Sequence, residues 1–180
     1  ASDTSSNSFL NRVQTYCAPK AVPFTEDFET WTASSTAEID DCWDRLSDYP
    51  TFSYYPYVTS SSTYAFSGTK SMYMYSTNTS YAALILPEFA PAVNTLQLSF
   101  VAMKTNTSYT HALHVGVITN PNDISTFVPI DTVAPSVLNE HELFEIPFNT
   151  YAGTGGRIAL IAPDGVYSYP YIDDIDVDVI

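Results

Sequence analysis

The sequence predicts an all-β fold, two antiparallel sheets packed face to face as a β-sandwich. Three observations carry this. Helical periodicity is nearly absent: residues 7–16 have room for a turn or two, and nothing later sustains an i, i+3, i+4, i+7 pattern. Twelve prolines and repeated Ser/Thr/Asn clusters cut the chain into short segments. Fourteen Tyr, ten Phe and two Trp among abundant Ser and Thr suit a β-rich extracellular domain better than a helical cytosolic enzyme.

Taken in order, residues 1–8 are mostly Ser, Asp, Asn and Thr with no apolar period, so 1–20 reads as a flexible leader or linker. Residues 21–180 form one domain, large enough to bury a full core. Strands are expected at 24–28, 52–58, 71–75, 82–86, 95–102, 112–119, 127–133, 143–147, 157–161 and 171–179. Turn chemistry separates them at Ser67-Gly68-Thr69, Asn120-Pro121-Asn122-Asp123, Gly153-Thr154-Gly155-Gly156 and Pro163-Asp164-Gly165. No repeat with a period of 20–50 residues is visible, against a solenoid or propeller.

The last strand is the longest and most regular. From Ile175 to Val179 apolar residues alternate with aspartates. Extended backwards, that register puts Asp173 on the core-facing side with Ile175 and Val177. A carboxylate there must be paired, neutralised or bound to a cation, and only six Lys plus Arg are available, so a hard cation such as calcium is a natural candidate. The alternative is a bulge at Asp173-Asp174 that turns Asp173 out to solvent. The strand should pair with an early one, bringing Asp173 near Asp27-Phe28-Glu29.

Twenty acids against six Lys plus Arg give a net charge of −14. Nucleic-acid binding needs clustered cations, and an anionic membrane surface would repel this chain. No run is long enough to span a bilayer. The absence of an initiating Met and a signal segment reads as a mature or excised piece of a longer soluble protein. Cys17 and Cys42, 25 positions apart, would form one disulfide in an exported domain; two buried thiols are the alternative.

Several stretches then converge in a fixed order: Pro23-Phe24-Thr25-Glu26-Asp27-Phe28-Glu29, Asp41-Cys42-Trp43, Ala65-Phe66-Ser67-Gly68-Thr69-Lys70-Ser71, Leu84-Ile85-Leu86-Pro87, Val115-Gly116-Val117-Ile118-Thr119-Asn120-Pro121-Asn122-Asp123, and Tyr171-Ile172-Asp173-Asp174-Ile175. Over residues 21 to 180 the chain resembles the cleaved-adhesin and MAM-like jelly-roll domains of surface and secreted Bacteroidota proteins. The resemblance implies a non-catalytic jelly-roll module, secreted or at the cell surface. It would be one domain of a longer parent chain, and would bind glycan or a host or surface glycoprotein. It also implies structural calcium between Glu29, with Asp27 beside it, and Asp173, with Asp174 in reserve. One departure stands out: the segment 34–41 holds Glu38, Asp40 and Asp41 but lacks the glycines that supply further ligands in some members.

Ligand recognition would fall to exposed aromatic rings, because sugars offer apolar C–H faces to Tyr and Trp. The run 52–57 carries Tyr54, Tyr55 and Tyr57 in poor alternation, so some ring should be exposed; Tyr167 and Tyr169 form a similar loop, with Trp43 as a further candidate. The competing reading is that these rings fill the core. A protein-binding adhesin or assembly module with no sugar ligand is the alternative function. Catalysis finds no support. There is no Gly-x-Ser-x-Gly elbow and no Cys–His arrangement. His111 and His114 point to opposite strand faces, and His141-Glu142 lacks a second histidine, so all three read as ordinary surface or edge residues. Gly153-Thr154-Gly155-Gly156-Arg157 is a hairpin turn with no following helix, not a phosphate cradle.

Overall fold

The computed structural model describes residues 17–35, 39, 42–48 and 55–180. Among them, two antiparallel sheets pack face to face. One has the order β3 (Tyr57–Ser60), β4 (Lys70–Tyr73), β11 (Tyr171–Val179), β6 (Leu96–Met103), β9 (His141–Pro147). The other runs β2 (Asp44–Ser47), β5 (Ala82–Ile85), β10 (Arg157–Ala162), β7 (Leu113–Ile118), β8 (Phe127–Val133). A short β1 (Phe24–Glu26) joins the first sheet on β11.

Sequence pattern explains the layout. In β6 the residues Leu96, Leu98, Phe100 and Ala102 alternate inward and are fully buried, as a sheet covering one core requires. In β5 and β10 nearly every residue is buried, the continuous apolar run of central strands. Between the sheets lie Leu98, Phe100, Phe148, Ile172, Ile175 and Val177 with an aromatic knot. Trp31 stands edge-on to both Phe28 and Trp43, each at 5.3 Å between ring centres. Each such side chain contributes roughly 1.5–3 kcal/mol of burial.

Ten sequence-predicted strands have counterparts here. The strand β2 is an addition that the sequence reading missed. Arg157 holds it in place: its guanidinium donates to the Leu86 carbonyl (2.6 Å) and the Cys42 carbonyl (2.7 Å) and pairs with Asp44. Cys17 and Cys42 form the disulfide. Residue 20 is already part of the body, since Lys20 bridges Phe89. The helical turns expected in 7–16, the start of the strand expected at 52–58, and Glu38, Asp40 and Asp41 lie outside the described residues. No helix among those described is long and apolar enough to cross a membrane.

Candidate binding face

The outer face of the first sheet carries two surfaces, one made of tyrosines and one of acids. Tyrosine recurs two positions apart at the ends of three adjacent strands: Tyr57 opens β3 with Tyr55 before it, Tyr73 closes β4 with Tyr75 after it, and Tyr171 opens β11 with Tyr169 before it. Ring contacts bring the pairs together, Tyr55 to Tyr57 at 5.2 Å and Tyr73 to Tyr75 at 6.5 Å. Register then aligns them, Tyr57 opposite Tyr73 and Tyr73 opposite Tyr171. The result is a lattice two tyrosines deep and three strands wide. Tyr73 and Tyr171 stack at 4.7 Å, as do Tyr55 and Tyr75 at 4.6 Å. Tyr75 meets Tyr169 at 4.7 Å. Tyr64 stacks on Tyr171 at 4.1 Å, and Tyr109 and Tyr167 extend the other corner. Nine rings are thus contiguous. Burial and neighbouring rings push the Tyr73 and Tyr171 phenols well above their usual range, so both stay protonated.

The row continues across the sheet through Met103 to His141 on the edge strand β9. Phe66, 56% exposed, packs edge-on against His141, and Leu143 is 62% exposed two residues further along.

The acidic surface begins where β11 changes neighbours. Tyr171 and Ile172 pair with β4, but Ile175 to Val177 pair with β1. At the changeover the register with β6 slips by one residue between Asp173 and Asp176, and Asp174 adopts a left-handed backbone at φ 45°. This bulge corrects the expected core-facing position of Asp173: Ile172 and Ile175 both point inward, so Asp173 points out, with Tyr171. It does not reach solvent, being 1% exposed. The loop 66–70 covers it. Asp173 accepts from the Phe66 and Ser67 amides (2.7 and 3.1 Å) and from the Asp174 amide (2.9 Å). Burial pushes its pKa up to about 6, with the three amides pulling the other way. The Ser67 hydroxyl donates to Asp174 at 2.6 Å.

Glu29 grips the other end of the same loop. Its carboxylate accepts from the Thr69 and Lys70 amides (2.7 and 2.6 Å) and the Thr69 hydroxyl (3.1 Å). The Thr69 amide is the chief cause of its lowered pKa. Lys70 returns its ammonium to the Glu29 and Trp31 carbonyls, both at 2.7 Å. Gly68 sits between, at φ 59°, where an added Cβ would lie 2.4 Å from the Glu29 carboxyl carbon.

The four residues expected to hold metal therefore divide. Glu29 and Asp173 hold the loop, while Asp27 and Asp174 line a cleft of about 600 Å³ with Glu26, Ser67, Ile175 and Asp176. Among the described residues, no three Asp, Glu, His or Cys converge closely enough to hold a metal alone. The donor set is all oxygen, which suits a hard cation. Asp173 is a buried carboxylate whose hydrogen-bond partners are the three amides of Phe66, Ser67 and Asp174.

Of the expected ligand-binding aromatics, Tyr55, Tyr57, Tyr167 and Tyr169 belong to the lattice, and Tyr54 lies outside the described residues. Trp43 needs correction: it is 5% exposed and locked in the core by Phe24, Phe28 and Trp31. His111, expected at the surface, is fully buried beside Tyr169, with Nδ1 on the Tyr109 carbonyl at 3.0 Å and Nε2 unpartnered. The sequence reading missed Tyr64, Tyr73, Tyr75, Tyr109 and Tyr171. Its available signal was the recurrence Tyr55-Pro56-Tyr57, Tyr73-Met74-Tyr75 and Tyr167-Ser168-Tyr169-Pro170-Tyr171.

No protein-family model matches the chain, and no curated protein matches it. Solved structures do. The K2 cleaved adhesin domain of Lys-gingipain superposes with a TM-score of 0.63 at 12% identity, over 88% of this chain and 99% of that one. The K1 domain of the same protein, from Porphyromonas gingivalis, gives 0.62 at 13%, over 88% and 98%. The CBM22-1 xylan-binding domain of Paenibacillus barcinonensis Xyn10C gives 0.55 at 11%, over 91% and 98%. The carbohydrate-binding module TmCBM61, solved with β-1,4-galactotriose, gives 0.53 at 15%, over 86% and 94%. The chain thus shares the jelly-roll sandwich of cleaved adhesin domains and carbohydrate-binding modules.

Proposed function

We propose that this chain is a non-catalytic extracellular binding module whose tyrosine lattice takes an uncharged glycan, free or on a surface glycoprotein. The observation that carries this is nine contiguous tyrosine rings, built on the ends of β3, β4 and β11 and the loops beside them, an amphipathic surface of rings and hydroxyls. The fold neighbours support it, since a xylan-binding domain and a module solved with galactotriose share the architecture. Charge narrows the ligand. Four of the five Lys and Arg among the described residues, Arg45, Lys70, Lys104 and Arg157, have side chains hydrogen-bonded to backbone carbonyls or to Asp44, which favours an uncharged sugar over an anionic one. The module would be one domain of a longer secreted or surface protein.

Calcium belongs to the same proposal. It would sit with Glu29 and Asp173, with Asp27 and Asp174 beside them, completed by carbonyl oxygens and water, and would supply the charge that buried Asp173 lacks. Its role there is structural.

The test is a broad glycan panel screened in calcium and in chelator, with melting followed in both. Reproducible binding to neutral glycans, with calcium raising the melting temperature, is the expected result. A blank panel removes the glycan reading, and identical melting curves remove the calcium. A protein ligand is the second reading, favoured by the exposure of Phe66 and Leu143 at the β9 end of the same face.

A further inference from the structure

We infer that the lattice reads its ligand through phenol hydroxyls and ring edges rather than ring faces, so that the hydrogen-bonding of sugar hydroxyls, and not stacking, sets specificity. This rests on the glycan reading above. Tyr171 is stacked against two rings, Tyr64 at 4.1 Å with planes 22° apart and Tyr73 at 4.7 Å with planes 24° apart. Two rings cannot share one face, so both faces of Tyr171 are covered. In the second row Tyr75 is stacked by Tyr55 at 4.6 Å and meets Tyr169 at 4.7 Å. These spacings match the separation of adjacent strands, about 4.8 Å. Rings lying flat on the sheet could not fit that interval; rings standing upright can. The stacked rings Tyr64, Tyr171 and Tyr73, standing upright, present C–H edges and hydroxyls about 4.8 Å apart across the strands, and Tyr57 closes the row edge-on to Tyr73, at 5.6 Å with planes 80° apart.

A sugar stacked on an aromatic face has no place at Tyr171, whereas one lying across the strands meets a hydroxyl at each strand.

The experiment separates the two contact modes by removing oxygens and keeping rings. Wild type, Tyr57→Phe, Tyr73→Phe and the double variant are titrated by calorimetry with β-1,4-xylan oligosaccharides and β-1,4-galactotriose, and melting is measured for each. Each single variant should weaken binding about threefold to tenfold, the worth of one hydrogen bond, with melting close to wild type. The double variant should weaken it by about the product. Phenylalanine variants that bind as wild type does overturn the inference and leave the glycan reading standing. Wild type that binds neither probe nor any neutral glycan of the panel overturns both.

Discussion

Along β11, Tyr171 and Asp176 point from the same face of the same sheet, about five residues apart, into surroundings with little in common. Around Tyr171 the neighbours are rings, and each desolvates the next. Around Asp176 they are Thr25 and Ser99, and the cleft is lined by carboxylates. The difference arises because β11 exchanges β4 for β1 at the Asp173-Asp174 bulge. A lattice needs three strands in unbroken register, and the bulge ends it. One half is held by side-chain packing between rings. The other is held by main-chain amides of 66–70 folded onto Asp173 and Glu29. The boundary loop belongs to both, since Tyr64 and Phe66 extend into the aromatic half.

The largest effect should come from removing the clamp. Asp173→Ala strips three amides of their acceptor, and we expect a loss of about 3 kcal/mol in urea unfolding. Because Tyr64 sits on the same loop, near-ultraviolet circular dichroism of the tyrosines should change as well. An unchanged spectrum would mean that the halves are independent. Asp173→Asn sharpens the comparison by keeping an acceptor oxygen and removing the charge. In chelator at neutral pH it should cost far less than Asp173→Ala or even stabilise, because the buried charge is gone, and it should abolish any rise in melting temperature with calcium. A rise equal to that of wild type would place the cation elsewhere.

Next in size is Gly68→Ala, at about 2 kcal/mol. A Cβ at φ 59° is strained by itself, and here it also displaces the Glu29 carboxylate from the Thr69 and Lys70 amides. If this variant melts like wild type, Glu29 is not a working clamp. The same loop shows what sequence could and could not deliver. Turn chemistry at Ser67-Gly68-Thr69 was legible, because glycine between polar residues has few other uses. The partners of Glu29 and Asp173 were legible only as a pairing of early and late strands. The face of Asp173 was not legible: alternation counts residues, and a bulge inserts one without a mark in composition. The strand β2 escaped for a related reason, since its Asp44-Arg45-Leu46-Ser47 has no apolar alternation and is fixed by Arg157 from 113 positions away. Tyr73, Tyr75 and Tyr171 were hidden differently. Each reads as one half-buried strand tyrosine, and only the register between strands makes them a surface.

The smallest effect concerns pH, and it distinguishes the halves by sign. His111 is fully buried under Tyr169, and burial is the leading cause of its lowered pKa. The unfolded chain therefore takes up this proton at the ordinary value of 6.5 while the folded chain resists it. Stability contributed by neutral His111 is present above that value and is lost as pH falls through it, by at most about 1.4 kcal/mol per pH unit. Asp173 runs the other way: its raised pKa means that acidification toward 6 relieves the cost of a buried charge. In chelator, the two should partly cancel in wild type between pH 7 and 5. His111→Asn keeps a residue that tolerates φ 51° and removes the titration. Its stability should then rise on acidification relative to wild type, because the opposing term from the aromatic half is gone while that from Asp173 remains. Parallel profiles for the two proteins would show that His111 is protonated as readily in the fold as outside it, and that the tyrosine half does not exclude water from its histidine.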